Sequence, residues 1–248
     1  MSFTVMEIAM TDVIACAPQP RIPVRGGDMF PVRRIYCVGR NFADHAREMG
    51  ATAPASKADR GQPVFFLKPA DAIVIDGVVP YPPGTNDLHH EVELVVAVGK
   101  DAAPGLIDPD HANELIFGYG IGLDLTRRDL QAAAKAKGLP WDTGKAFDHS
   151  APVSELVRAG DVGDLAPRVL SLQVNGETRQ RGALSDLIWD VPDILHALSK
   201  LYALRAGDLV FMGTPAGVGP LHAGDSFLAS LDDIVELRGK VVAARDAV

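Results

Sequence analysis

Glu91 and Glu93 stand one residue apart in the stretch His89-His90-Glu91-Val92-Glu93-Leu94-Val95-Val96, at the mouth of an apolar run. Side chains alternate along an extended strand, so both carboxylates leave one face about 6.5 to 7 Å apart at the backbone. Two acids so placed can converge on one cation. An isolated pair of this kind reads as a solvated strand face, since Glu is normally exposed. Here the continuation Leu94-Val95-Val96-Ala97-Val98 is apolar on both faces, which predicts burial. Buried carboxylates require a counter-charge or a metal, and a hard divalent cation with oxygen ligands, Mg2+ or Mn2+, supplies it.

Asp124 offers a third acid, ending the Gly-rich apolar run 118–123 ahead of a helical stretch. If a helix starts near Asp124, Arg128 and Gln131 at i+4 and i+7 lie on its face and present a cation and an amide beside the same metal, with Arg127 and Asp129 turned away. The alternative is an N-capping Asp124 with Arg128 and Gln131 on the surface. Lys145 follows in a loop with Trp141, Gly144 and Phe147. A lone loop lysine is a solvated charge by default, but these neighbours suit one held near an anionic ligand. Thr214, in Met212-Gly213-Thr214-Pro215-Ala216-Gly217, adds a hydroxyl and nearby backbone donors for a carboxylate. The G-x-x-x-x-G-K-[ST] phosphate loop is absent. His45 and Glu48, at i and i+3, are close enough on a short helix for the carboxylate to orient the imidazole as a general base, or they form an incidental surface pair.

Positioning these groups falls to short strand-like runs separated by turn residues: 34–39, 63–69, 72–75, 91–99, 169–180, 208–215, 226–230 and 234–244. Helical candidates are fewer, at 41–50, 108–116, 125–138 and 191–204, the second and fourth opening near Asp-Pro or Pro-Asp. Asn175-Gly176 signals a hairpin. Residues 51–62, polar and rich in turn formers, predict a mobile loop after a lid helix. Residues 1–29 predict a small N-terminal β segment, and 30–248 a single catalytic domain. The fold class expected is α+β and strand-rich.

Composition narrows the partners. With 47% hydrophobic residues in 248, the chain can bury a substantial core. Its 32 acidic and 24 basic residues, a net charge of −8, lack the basic field a phosphate backbone demands, so no nucleic-acid partner is expected. Two cysteines, Cys16 and Cys37, make no disulfide framework and suit a reducing compartment, with Cys37 expected to be buried. No basic n-region opens the chain, Glu7 and Asp12 interrupt its first apolar stretch, and no run approaches a membrane span. A cytoplasmic protein without a membrane partner is expected.

The spaced series YCVGRNFADHAREMG, FFLKPADAI, HHEVELVVAVGK, GLDLTRRDLQ, KGLPWDTGKAFDHSAP, VNGETRQ and MGTPAGVGP resembles the fumarylacetoacetate hydrolase family, from about Phe30 to the end. FPVRRIYCVGRNFADHAREMG, with HSAPVSE and LSDLIWDVP, is most similar to the fumarylpyruvate hydrolases within the small acylpyruvase-like branch. By position, the resemblance implies that Glu91, Glu93 and Asp124 ligate Mg2+ or Mn2+. It makes His45 and Glu48 the water-activating pair on a lid, and Arg128, Gln131, Lys145 and Thr214 the lining of the substrate site, Lys145 holding charge on the developing oxyanion or enolate. It implies a mixed β-roll with a few short helices and a homodimer. The implied reaction is hydrolysis of the C–C bond of a 2,4-dioxo acid, fumarylpyruvate giving fumarate and pyruvate in aromatic catabolism through gentisate. Arg40 and Arg47, flanking the lid helix, are expected near the far carboxylate of such a substrate. General acylpyruvase and oxaloacetate decarboxylase activities are the alternatives. Two other classes remain: an iron oxygenase built on His89, Glu91 and one of His111, His149, His196 or His222, and a non-catalytic protein that binds a metal and a keto acid.

Overall fold

The structure, a computed structural model, describes residues 13–48, 54 and 57–244. Its centre is a six-stranded sheet in the order Val157–Arg158, Ile116–Leu123, Val92–Val98, Asp208–Phe211, Arg34–Gly39 and Val64–Lys68. All neighbours run antiparallel except Asp208–Phe211 and Arg34–Gly39, which are parallel. A five-stranded sheet, ordered Glu177–Ala183, Val169–Val174, Ser226–Leu231, Val235–Val242 and Val78–Pro80, packs against one face. The chain therefore adopts the strand-rich, mixed-sheet α+β architecture that its alternating apolar runs predict.

Alternation along Val92–Val98 divides the interior. Leu94 and Val96 join Ile121, Leu123, Leu170, Leu172, Phe227 and Leu237 in the core between the two sheets. Val95 and Ala97 point the other way, into a second core with Ile22, Phe30, Ile35, Cys37, Leu209 and Phe211. Glu93 continues that second row. Both faces of the strand being covered, any acid at its end is withdrawn from water.

The Asn175-Gly176 turn has positive φ at both residues, 53° and 81°, and joins Val169–Val174 to Glu177–Ala183, as expected for a hairpin with a primed turn. Helix Val191–Ser199 opens as expected, with the Asp190 side chain accepting from Asp193 N at 2.9 Å and Pro192 in its first turn. Residues Pro109–Leu115 are a 3-10 helix rather than an α-helix, because Asp108 caps Asp110 N and the segment is too short to recover the cost of an α nucleus. The helix expected from Asp124 begins at Arg128 instead and runs to Lys137. Thr126–Arg127 are extended and pair with Leu88–His90, so Asp124 is not an N-cap. Lys145 ends a short helix, Asp142–Lys145, where a loop was expected.

Part of the expected mobile loop, positions 51–53, 55 and 56, lies outside the described residues, as do residues 1–12 of the expected N-terminal segment. From the remainder of that segment, Arg21–Pro23 pairs with Met29–Pro31 across the expected boundary at residue 29, and Ile22 and Phe30 both enter the second core. Cys37 is buried and Cys16 exposed, neither in a disulfide. No helix among the described residues is long and apolar enough to cross a membrane.

Candidate active site

Three carboxylates converge where the central strands end. Leu123 pairs with Val92, and Asp124 N donates to Glu91 O at 2.8 Å, which sets Asp124 directly across from Glu91. Glu93 reaches the same spot from the next outward position. One oxygen from each of Glu91, Glu93 and Asp124 lies within 4.8 Å of the others, and all three residues are buried, Asp124 completely.

Protein cations surround two of these acids. Lys145 Nζ lies 2.8 Å from Glu91 Oε2 and 2.5 Å from Asp124 Oδ2. Arg128 Nη2 donates to Glu91 Oε1, while its Nη1 donates to Gln131 Oε1 at 2.6 Å. Lys68 Nζ, on the edge strand Val64–Lys68, lies 2.8 Å from Asp124 Oδ1 and also donates to Leu125 O at 3.1 Å. Where a divalent cation was expected to supply the counter-charge, these three side chains supply it for Glu91 and Asp124. Burial works against ionised Glu91, but Lys145 and Arg128 outweigh it and hold its carboxyl below the usual range. Burial likewise opposes the Lys145 ammonium, and Asp124 and Glu91 outweigh it and raise its pKa.

Glu93 differs. It has no cation within ion-pair distance among the described residues, and its one hydrogen-bond donor is Gly213 N at 2.8 Å to Oε2. Burial, then the charges of Asp124 and Glu91, push its pKa well above the ordinary glutamate value. Gly213 can approach so closely because its φ is +92° and it has no Cβ, which would stand 2.7 Å from the Asn41 Cβ. Glu93, with no cationic partner among the described residues, and a buried Asp124 Oδ1 that makes no aligned hydrogen bond even to Lys68 leave oxygen lone pairs for a further cation to take up. Three convergent oxygen donors fit a hard divalent ion.

Arg40, His45, Phe66, Gln131, Lys135, Trp141 and Thr214 complete the walls around the acids, Arg128 and Lys145. His45, 5% exposed, is in the helix Ala43–Glu48, and its Nδ1 lies 3.1 Å from Glu48 Oε2. Gly217 N donates to both Glu48 oxygens, at 3.2 and 3.3 Å, so the pair is tied to the glycine-rich turn after Thr214. With Nδ1 engaged, Nε2 is the ring nitrogen left for chemistry. Thr214 Oγ1 accepts from Gln180 Nε2 at 2.8 Å, and Gln180 Oε1 receives Val92 N at 3.0 Å and sits 2.9 Å from His90 Nδ1. The expected site residues thus line one pocket, except Glu48, which holds His45, and Asp124, which lies buried behind the lining with an oxygen within 4.8 Å of those of Glu91 and Glu93. Arg47 does not line it: it pairs with Asp44 on the outer side of the helix.

Sequence reasoning missed Lys68, Lys135 and Gln180. Lys68 had a signal, a charge closing an apolar strand before Pro69; Gln180 had none, since its partners lie 34 and 88–90 residues away. The histidines of an iron oxygenase are elsewhere. His89 Nδ1 accepts from Arg128 Nε at 3.4 Å and His111 faces Glu114 on the surface. The group of metal-ligand spacing among the described residues contains no histidine.

The family model described as fumarylacetoacetate (FAA) hydrolase C-terminal matches residues 34–242. The chain belongs to that family. It is similar to oxaloacetate tautomerase YcgM of Escherichia coli, 41% identical over 205 residues covering 82% of this chain and 90% of that protein. To the mitochondrial oxaloacetate tautomerase FAHD1 of Mus musculus it is 42% identical over 212 residues, 84% of this chain and 91% of that one. Among solved structures, fumarylpyruvate hydrolase from Pseudomonas aeruginosa, in complex with Mn2+ and pyruvate, matches with a TM-score of 0.86 and 44% identity, covering 94% of this chain and all of that chain. This chain is accordingly an enzyme of the fumarylacetoacetate hydrolase family, with its mixed β-roll, and its relatives carry hydrolase and tautomerase names. Tautomerisation was not among the reactions the sequence motifs led us to expect.

Proposed function

We propose that this enzyme is a metal-dependent hydrolase that cleaves the C3–C4 bond of a 2,4-dioxo acid, fumarylpyruvate yielding fumarate and pyruvate. One observation carries the reading: a carboxylate-held histidine, His45 with Glu48, serves the same pocket as three convergent buried acids. Hydrolysis, unlike decarboxylation, needs a water-activating base beside the keto-acid site. The Mn2+ and pyruvate bound by the Pseudomonas aeruginosa hydrolase support it.

In this reading Glu91, Glu93 and Asp124 hold the cation. When bound, it supplies Lewis-acid stabilisation for negative charge developing on the 2-oxo oxygen. Glu48 accepts a hydrogen bond from the Nδ1–H of His45 and fixes the tautomer with Nε2 free as base. His45 Nε2 takes a proton from water as the water oxygen bonds to C4, a role typically worth about 10²–10⁴-fold. The C3–C4 bond then breaks with its electron pair staying on C3, which takes back the proton held on His45 Nε2 to complete pyruvate, while C4 leaves as a carboxylic acid that ionises to the carboxylate. Lys145 offers its ammonium to the developing oxygen charge, while Arg128, Gln131 and Thr214 supply donors for the substrate's carboxylate.

The tautomerase names of the curated relatives favour a second reading, in which the same residues move a proton between C3 and the 2-oxo oxygen of oxaloacetate without cleaving a bond between carbons. A panel of fumarylpyruvate, acetylpyruvate and oxaloacetate, with Mg2+, with Mn2+ and after chelation, separates them. We expect metal-dependent cleavage with the highest kcat/KM on fumarylpyruvate and none after chelation; oxaloacetate enol–keto exchange without acylpyruvate cleavage overturns the hydrolase reading. Use of either ion and a homodimer rest on the family resemblance, and a reducing compartment on the two free cysteines. Sedimentation of the purified chain tests the dimer.

A further inference from the structure

Lys135 extends a row that starts deep in the pocket. Along the helix Arg128–Lys137, positions 128, 131 and 135 are spaced by three and four, so they share one face, and all three line the pocket. Rising 1.5 Å per residue, the helix carries Lys135 about 6 Å beyond Gln131 and about 10 Å beyond Arg128. The inner cations are committed: Arg128 and Lys145 to Glu91, Lys68 and Lys145 to Asp124. Lys135 makes no hydrogen bond or ion pair through Nζ among the described residues, and instead stands 4.9 Å from the centre of the Trp141 ring. Partial desolvation, then the charges of Arg128, Arg40 and Lys145, lower its pKa against the pull of Glu91. Arg40, exposed on the rim of the same pocket with φ +59°, likewise has no carboxylate partner among the described residues.

The pocket is therefore built in two electrostatic zones, paired charges inside and unpaired cations outside. We infer that Lys135 is a specificity-determining residue that receives a second carboxylate at the substrate end remote from the 2-oxo acid group, with Arg40 beside it. This rests on the hydrolase reading and names its substrate class: long dianions with a carboxylate at each end. Acetylpyruvate has no second carboxylate, and those of oxaloacetate are separated by two carbons, too short to span from the acids to Lys135. The Trp141 ring face steadies the lysine, so less side-chain freedom is lost when the anion arrives.

The test uses the full chain loaded with Mn2+ and three proteins, parent, Lys135→Met and Lys135→Arg. Methionine keeps the length of the side chain and its packing on Trp141 while removing the charge. The ratio of kcat/KM for fumarylpyruvate over acetylpyruvate falls about 10- to 100-fold in Lys135→Met, mainly through KM, as expected for loss of a charge-assisted contact. Lys135→Arg restores most of it. An unchanged ratio, or equal failure of both variants, overturns the role of Lys135 while leaving the hydrolase reading intact. A parent that cleaves neither acylpyruvate overturns that reading and this inference with it.

Discussion

The acid cluster and the His45 helix face each other across one pocket and are built in opposite ways. Glu91, Glu93 and Asp124 sit at the ends of central strands, buried, with Lys68, Lys145 and Arg128 cross-linking two of them. His45 and Glu48 occupy a six-residue helix whose Glu48 is exposed and held by Gly217 N. The first region makes charge tolerable through the fold itself, and its residues serve stability and function together. The second contributes little to the core, so its residues are free to serve chemistry alone. Such a division predicts that mutations in the two regions fail differently.

Asp124→Ala should break the contrast most severely. It leaves Lys68 and Lys145 buried with a partner removed, and such losses cost about 3–5 kcal/mol. Urea unfolding should show that drop even in metal-free protein, together with lost metal affinity in calorimetry. A variant as stable as the parent would show that the ion pairs around Asp124 contribute nothing net.

His45→Ala should do the reverse. Hydrolysis should fall about 10²–10⁴-fold, while metal affinity stays at the parent value because His45 is on a separate helix from the acids. Stopped-flow rates beside calorimetric metal binding make the comparison, and a near-parent rate would move the base elsewhere.

Glu93 allows a finer cut within the acid cluster, since it is the member without a cationic partner. In metal-free protein, its raised pKa means that the folded state keeps a proton which the unfolded chain sheds near the ordinary value of 4.5. The folded state then binds more protons, so this contribution to stability is full below 4.5 and declines as pH rises toward the folded pKa. Glu91, held low, acts with the opposite sign and below 4.5, outside that window. Chelator-treated parent should lose urea resistance as pH rises above 4.5 relative to Glu93→Gln, which has no proton to lose there. Parallel curves for the two proteins would refute the assignment.

What was legible in the sequence follows the same division. Local patterning announced the central strand, the Asn175-Gly176 turn and the capped helix after Asp190, because each is decided by neighbours in the chain. The three acids were readable since an acid beside an unbroken apolar run contradicts ordinary burial. The start of the Arg128 helix was misread because pairing of Thr126–Arg127 with Leu88–His90 overrides the local helical preference. Gln180 was invisible, and Lys68 showed only a charge at the end of an apolar strand, for a related reason: their partners meet them only after the sheets assemble.

Asn41 gives the placement of His45 a mechanical reading. Its side chain donates to Met212 O at 2.8 Å and Trp189 O at 3.0 Å and accepts from Trp189 N at 2.8 Å, clamping the chain four residues before the imidazole. Phe42 and the first residues of the helix Ala43–Glu48 form a lever on the order of 6 Å long between clamp and ring. A swing of only about 10° at its foot would carry the ring about 1 Å, twice the ~0.5 Å within which a catalytic group must be held. In the proposed mechanism the aim of His45 is thus set at an amide outside the lining of the pocket.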